Sequence, residues 1–180
     1  MRVGLFFHNR LPARKYGGTQ RVIVWLARAL RELGHEPWII TRPGTRLPDF
    51  ATAEIPTRVV ERAKTDPGLP LDPYLPPGLE VIHYHGQIAA RTEIPRLTTE
   101  HGNGYRGPVR PDHVFVSRSH MERHGGRHFV YNGIDPADFE FRTEREDFLL
   151  FLGHVRWEVK GVDRAERIAK AADRRLVIAG

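Results

Sequence analysis

The first forty residues restrict the fold more tightly than any other stretch. Val3 to Phe7 is an unbroken apolar run with the length of a buried strand, and it ends in His8-Asn9. A loop from Arg10 to Tyr16 then leads into Gly17-Gly18-Thr19. From Gln20 onward Val22, Trp25, Leu26, Ala29, Leu30 and Leu33 recur at helical spacing, with Arg21, Arg28, Arg31 and Glu32 opposite them. Gly34 stands where a helix closes on a left-handed residue, and Pro37-Trp38-Ile39-Ile40 begins a second strand. Strand, glycine loop, helix and strand in this order form a β-α-β unit, which puts both strands parallel in one sheet.

The same alternation continues. Residues 65–78 carry five of the 14 prolines, which rules out helix or central strand there and predicts a long surface loop. Strand-like runs follow at Val81–Gly86, Leu97–Gly102, Val114–Ser117 and Phe129–Gly133, each closing on a polar residue or a glycine. Ligands of open parallel sheets bind beyond the carboxyl ends of the strands, so His8, His85, His101 and Ser117 all stand where a site is expected. Asn132-Gly133 reads as a positive-φ turn out of this region. Residues 139–147 are mostly charged and read as a linker. The pattern then restarts with a strand at Phe148–Leu152, a helix at Gly161–Asp173 and a strand at Leu176–Ala179. Val162, Ala165, Ile168, Ala169 and Ala172 form the apolar stripe of that helix. A single β-α-β unit cannot bury both faces of its strands, so the sequence is expected to end inside a domain. The fold class is therefore α/β, a Rossmann-like parallel sheet flanked by helices, with a truncated second Rossmann-like domain.

Composition narrows the chemistry. There is no cysteine, which removes disulfides, thiolate nucleophiles and Cys-ligated zinc. No apolar run approaches the ~20 residues needed to cross a bilayer, and the N-terminal run is too short for a signal peptide. A cytoplasmic protein is the expectation. Of the 28 basic residues 24 are arginine, and the net charge is +6. An arginine-rich genome explains this as well as a phosphorylated ligand or an anionic membrane surface does. The charge forms no basic block, which argues against nucleic acid. His83-x-His85 and His120-x-x-x-His124 can each pair two imidazoles, but neither lies near a His-Glu-x-x-His or Asp-rich motif, so no metal is expected. Ser117 lacks a Gly-x-Ser-x-Gly elbow, which makes a serine-hydrolase triad improbable.

Several segments coincide with one family. They are Tyr16-Gly17-Gly18-Thr19-Gln20-Arg21-Val22, Leu33-Gly34-His35-Glu36, His83-Tyr84-His85-Gly86, Thr98-Thr99-Glu100-His101-Gly102, Phe115-Val116-Ser117, Tyr131-Asn132-Gly133-Ile134-Asp135, Phe151-Leu152-Gly153 and Lys160-Gly161. In this order and over nearly the whole chain, they resemble the retaining GT-B glycosyltransferases of family 4. The resemblance implies an enzyme of two Rossmann-like halves with its site in the cleft between them. Residues 1–138 match the N-terminal, acceptor-side half, 139–147 a linker, and 148–180 the first β-α-β of the donor-binding half. The implied reaction moves a sugar from a UDP-, GDP- or ADP-sugar to a hydroxyl acceptor with retention, without metal or other cofactor. Glycan, polysaccharide or lipid-linked saccharide synthesis is the implied setting, in the cytoplasm or peripherally at the inner face of the membrane. Residues 1–180 alone are expected to be inactive, with 148–180 covered by the missing C-terminal half or an oligomer partner. The alternative is a non-catalytic acceptor-binding or accessory half-domain that needs a partner for the donor. A sugar-phosphate enzyme such as an epimerase would carry Gly-x-Gly-x-x-Gly after its first strand, where this chain has Phe7-His8-Asn9-Arg10.

Candidate site residues follow. Tyr16, Gly17, Gly18 and Thr19 sit between strand and helix, where glycines allow positive φ and a helix N-terminus offers N–H groups to an anion. Arg14 and Lys15 stand beside them. His101, matched by resemblance to a family histidine near the transferred sugar, is the first catalytic candidate; a neutral imidazole there can hydrogen-bond a sugar hydroxyl. His85 is the second, since it shares a strand face with His83 and adjoins Gly86. In the second half the resemblance places Lys160 and Gly161 at the donor diphosphate. Family members carry Gly-Arg where this chain has Gly153-His154, in a loop to Lys160 that is a residue longer, and Arg156 is the candidate substitute.

Overall fold

The computed structural model describes residues 1–13, 17–104, 107–156 and 158–180. The chain divides into two compact units, Met1–Ile134 and Asp135–Gly180.

The first unit is a seven-stranded parallel sheet. Its strands are β1 (Arg2–Phe6), β2 (Glu36–Thr41), β3 (Ala51–Glu54), β4 (Val81–His85), β5 (Arg96–Glu100), β6 (His113–Phe115) and β7 (His128–Phe129), in the spatial order β3-β2-β1-β4-β5-β6-β7. The chain winds outward from β1 to β3, crosses back to β4 and winds the other way, so the order reverses between β1 and β4. The carboxyl ends of those two strands flank the crevice where such sheets take ligands. Helices α1 (Gly18–Glu32), α2 (Thr57–Ala63) and α3 (Arg118–Arg123) make three of the connections.

Register sorts the side chains into two cores. Leu5 pairs with His83 and Phe6 with Tyr84; paired residues of neighbouring strands share a face, and successive residues along a strand alternate between faces. Val3, Leu5, Phe7 and Ile39 pack with Ile23 and Ala27 of α1 on one face. Phe6, Ile40, Ile82 and Tyr84 pack with Val59, Val60 and Ala63 of α2 on the other. Helix α1 ends as expected: Gly34 has φ +79°, its N–H reaches the Arg31 carbonyl at 3.0 Å, and the His35 N–H reaches Leu30 at 2.9 Å.

The structure corrects several readings of this unit, among them the strand expected at Phe129–Gly133, which is strand only at His128–Phe129. The inward face of α1 is Ile23, Leu26, Ala27 and Leu30, while Ala29 and Leu33 are exposed. Five consecutive apolar residues, Val22 to Leu26, leave the face undetermined by periodicity, and the small Ala27 seats the helix against the sheet. The proline-rich stretch is anchored rather than purely superficial, because Leu69 and Leu71 are buried on either side of Pro70 and a 3-10 turn follows at Asp72–Tyr74. Gly133 is not among the positive-φ glycines, so the expected Asn132-Gly133 turn does not form. The sequence reading also passed over β3 and α2. The first is a short, mostly exposed edge strand of Ala-Thr-Ala-Glu with no apolar alternation, and the second is only seven residues long.

The second unit holds β8 (Leu149–Leu152), α4 (Val162–Ala171) and β9 (Leu176–Ala179), the two strands parallel. Ala169 is the buried residue of α4, with Val162 and Ala165 half-buried beside it. Ile168, expected in the stripe, is 63% exposed, and Ala172 is exposed too. Leu150 and Leu152 are exposed at 57% and 79%.

Candidate functional site

The reversal point of the sheet brings together the histidines that the sequence places at strand ends. His83 and His85 alternate with the core residue Tyr84, so both project from the face that carries Leu5. Their rings stack, 4.2 Å between centroids and 30° apart. His101 follows β5, and its Nε2 lies 3.0 Å from His85 Nδ1, with the rings 26° apart. His83 Nε2 is 2.7 Å from Thr99 Oγ1 on the neighbouring strand. The connection that holds His101 is tied in turn to α3, whose His120 Nε2–H donates to the Gly102 carbonyl at 3.2 Å.

Burial decides the charge of this cluster. His85 is 4% exposed, and desolvation holds its pKa well below the ordinary value, with His83 and His101 adding to the effect. Desolvation lowers His83 to about 4, His101 contributing, and it lowers His101 to about 4, with His120 contributing. The three imidazoles are therefore neutral at pH 7. They can give and take hydrogen bonds, but they offer an anion no charge. Among the described residues no group of three or more histidines and carboxylates could hold a metal ion.

The remaining candidates are placed differently. His8 follows β1, and a Cβ added at Gly86 would lie 3.9 Å from its Nδ1. Its pKa is lowered, first by burial and then by Lys64 and Arg42. Arg42 steadies this connection by donating to the His8 carbonyl at 2.6 Å and to Asn9 Oδ1 at 2.7 Å. Ser117 is a helix cap, its Oγ accepting from the His120 N–H at 3.1 Å. Tyr16, with Arg14 and Lys15, lies outside the described residues. Gly17 and Gly18 do not adopt the positive φ that glycine allows: Gly17 is extended at φ 173° and Gly18 opens the helix. A Cβ on Gly17 would collide with Gln20 and Ala13, so packing of the turn accounts for that glycine, whereas Gly18 faces open space. Among the described residues, helix α1 has neither a side-chain cap nor an acidic residue in its first turn, an arrangement suited to an anion at its leading N–H groups. Thr19 lies in that first turn, half-buried.

In the second unit Gly161 is left-handed, at φ +74°, and starts α4. Lys160 ends the 3-10 turn before it, and Asp163 in the first turn of α4 offsets the unfavourable placing of a lysine at a helix N-terminus. Arg156 is exposed.

Sequence reading missed Glu100. It precedes His101 and therefore faces the opposite side of the sheet, where it is 4% exposed and its Oε1 has no hydrogen-bond partner. Burial pushes it up to about 7, against the pull of Arg110. It also missed an anchor on that side: Asp112 accepts from Arg96 at 3.1 Å, Thr98 at 3.0 Å and Arg110 at 3.0 Å, while the Arg96 guanidinium covers the buried Tyr84 ring. Alternation along Thr98-Thr99-Glu100-His101 predicts the two faces once β5 is known to be a two-sided central strand.

No model of a known protein family matches the chain, and no curated protein matches it. Solved structures do. The crystal structure of AviGT4, a glycosyltransferase involved in avilamycin A biosynthesis, superimposes with a TM-score of 0.69 at 24% identity. The match covers 97% of this chain and 55% of that one, so the chain spans about half the length of the structure it matches. The likeness establishes the Rossmann-like α/β fold.

Proposed function

We propose that this chain is the acceptor-side half, with the opening of the donor-side half, of a retaining GT-B glycosyltransferase of family 4. The observation that carries the reading is the match to AviGT4 over nearly the whole chain, with the neutral imidazole pair of His85 and His101 at the carboxyl end of its sheet. In this reading His101 hydrogen-bonds a hydroxyl of the transferred sugar or the acceptor. The leading N–H groups of α1, at Gly17, Gly18 and Thr19, face the donor phosphates or an anionic group of the acceptor. Lys160, Gly161 and Arg156 meet the diphosphate and stabilise its charge as the glycosidic bond breaks. The anomeric configuration is retained, and no protein nucleophile is assigned. The exposed Leu150 and Leu152 form a surface that the remainder of a donor-binding half covers.

Among the described residues no helix is long and apolar enough to cross a membrane. The reading places the protein in the cytoplasm, peripherally at the membrane's inner face where the acceptor is lipid-linked.

The test is incubation of the complete protein with UDP-, GDP- and ADP-sugars and a set of lipid-linked, polysaccharide and small hydroxyl acceptors. Transfer or donor hydrolysis is expected, and silence across the panel overturns the enzyme reading. The second reading is an accessory half that binds acceptor alone. Calorimetry on residues 1–180 separates the two: tight nucleotide binding by this chain contradicts the accessory role.

A further inference from the structure

The contact between His85 and His101 can be made in two ways, and they have different consequences for a ligand. Two ring nitrogens 3.0 Å apart share one proton, so one imidazole donates and the other accepts. If His101 Nε2–H donated, His85 Nδ1 would be bare and the remaining proton of His85 would sit on Nε2. That atom is buried and has no hydrogen-bond partner. An N–H without an acceptor loses its hydration for nothing, and buried orphan donors are rarer than under-satisfied acceptors. If His85 Nδ1–H donates instead, the atom left in the apolar surroundings is a bare nitrogen, and no donor is stranded.

We propose that His85 is a positioning residue: its Nδ1–H donates to His101 Nε2 and thereby keeps the proton of His101 on Nδ1. His101 then meets a ligand as a neutral N–H donor and not as a general base. The ring of His85 has little freedom to do otherwise, because His83 stacks against it at 4.2 Å and His83 is itself held at Thr99. The near-parallel setting of the His85 and His101 rings lets one N–H point along the plane of the other. A fixed donor suits a sugar hydroxyl oxygen or a carbonyl oxygen and disfavours a role in removing the acceptor proton. That ligand role rests on the transferase reading; the position of the proton does not.

The experiment therefore uses no ligand. Long-range proton–nitrogen correlation spectra of the complete protein with 15N-labelled histidine, at pH 7.5, identify the tautomer of each imidazole, with His85→Asn and His101→Asn assigning the two signals. His85 and His101 are both expected as Nδ1–H forms, the alternative being suppressed about tenfold by the stranded donor. In His85→Leu the bias on His101 is lost and its Nε2–H form rises several-fold. In His85→Asn the side-chain amide replaces the Nδ1 donor and the Nδ1–H form of His101 returns. A wild-type His101 carrying its proton on Nε2, or an imidazolium at either position, overturns the proposal without touching the transferase reading. The same tautomers in a protein inert towards every sugar nucleotide leave the proposal standing and remove the transferase reading. A purely structural His85 predicts that Leu and Asn leave the His101 tautomer alike.

Discussion

Glu100 ends β5 inside the core, and replacing it with glutamine tests how much its burial costs. Its carboxyl is moved from the ordinary 4.5 to about 7, chiefly by desolvation, with Asp112 adding and Arg110 opposing. The folded state therefore holds its proton more tightly than the unfolded chain does. The stability this contributes is complete below about pH 4.5, is lost as the pH rises to about 7, and does not change further above that. At 1.36 kcal/mol for each pH unit between the folded and unfolded values, the whole loss is about 3 kcal/mol. Between pH 5 and pH 8 it is about 2–3 kcal/mol, because a part has already gone at pH 5.

Glu100→Gln keeps the shape and removes the titration. The amide adds an offset that does not depend on pH, so the quantity to follow is the change in the difference between the two proteins. Urea unfolding at pH 5, 6, 7 and 8 supplies it, read through fluorescence, since Trp25 and Trp38 lie in the unit that holds Glu100. Histidines that titrate over the same range are common to both proteins and cancel. The variant is expected to gain about 2–3 kcal/mol on wild type between pH 5 and pH 8. Parallel stability curves would refute the reasoning and place the Glu100 carboxylate in water or against a cation.

The neighbouring histidines act in the opposite sense. His83 has its pKa depressed to about 4, so its contribution is present above pH 6.5 and is lost as the pH falls towards 4. His83→Leu should flatten the decline in urea stability between pH 7 and pH 5 by about 2 kcal/mol, and an unchanged slope contradicts the burial argument. Leu71→Ala, in the proline-rich stretch, is expected to cost about 2–5 kcal/mol by equilibrium unfolding, because the side chain is fully buried; a loss below 1 kcal/mol would return that stretch to the surface. Asp112→Ala leaves Arg96 and Arg110 without their shared carboxylate and should cost about 1–3 kcal/mol in the same assay, with no change expected from Glu140→Ala, whose partner Arg142 is exposed. Gly34→Ala places a Cβ at φ +79° and should lower stability by about 1 kcal/mol, a gain being the contrary result.

How far the sequence could be read depended on whether a residue type had one structural use or several. The run from Val3 to Phe7 and the closure at Gly34 each admit one reading, and the structure has both. Val22 to Leu26 offers five apolar residues in a row, so the inward face of α1 is decided by Ala27 fitting the sheet, a tertiary fact. Glycines 17 and 18 allow either positive φ or a close approach, and the sequence does not choose between them; the backbone at Gly17 is extended and its smallness answers to Ala13 and Gln20. The ends of β4 and β5 were legible because apolar runs fix them, whereas the run expected as a strand at Phe129–Gly133 is strand only at His128–Phe129, with Val130 and Tyr131 exposed. The pairing of His85 with His101 was not legible, because it needs the register of β4 against β5, in which His85 lies beside Thr99. Glu100 stayed hidden for a related reason: a single residue step along β5 carries the chain from one face of the sheet to the other.

That single step shapes what the site can bind. Burial keeps His101 from taking up a second proton and keeps a proton on Glu100, so from about pH 4 to about 7 neither of these adjacent groups carries charge. His83 and His85 are neutral as well. The imidazole cluster itself therefore cannot attract a diphosphate by charge; it selects hydroxyl and carbonyl oxygens by hydrogen bonding. In the proposed transferase reading, attraction of an anionic donor is assigned to other groups, the leading N–H groups of α1 and, in the second unit, Arg156 and Lys160. The division of labour is measurable once transfer is observed. His101→Asn should alter discrimination between sugars that differ at one hydroxyl while leaving the salt dependence of binding as it was. Lys160→Met should weaken binding of every donor about equally and flatten its salt dependence. If His101→Asn changed the salt dependence instead, the imidazole cluster would have to carry charge in the complex, and the neutral-site argument would fail.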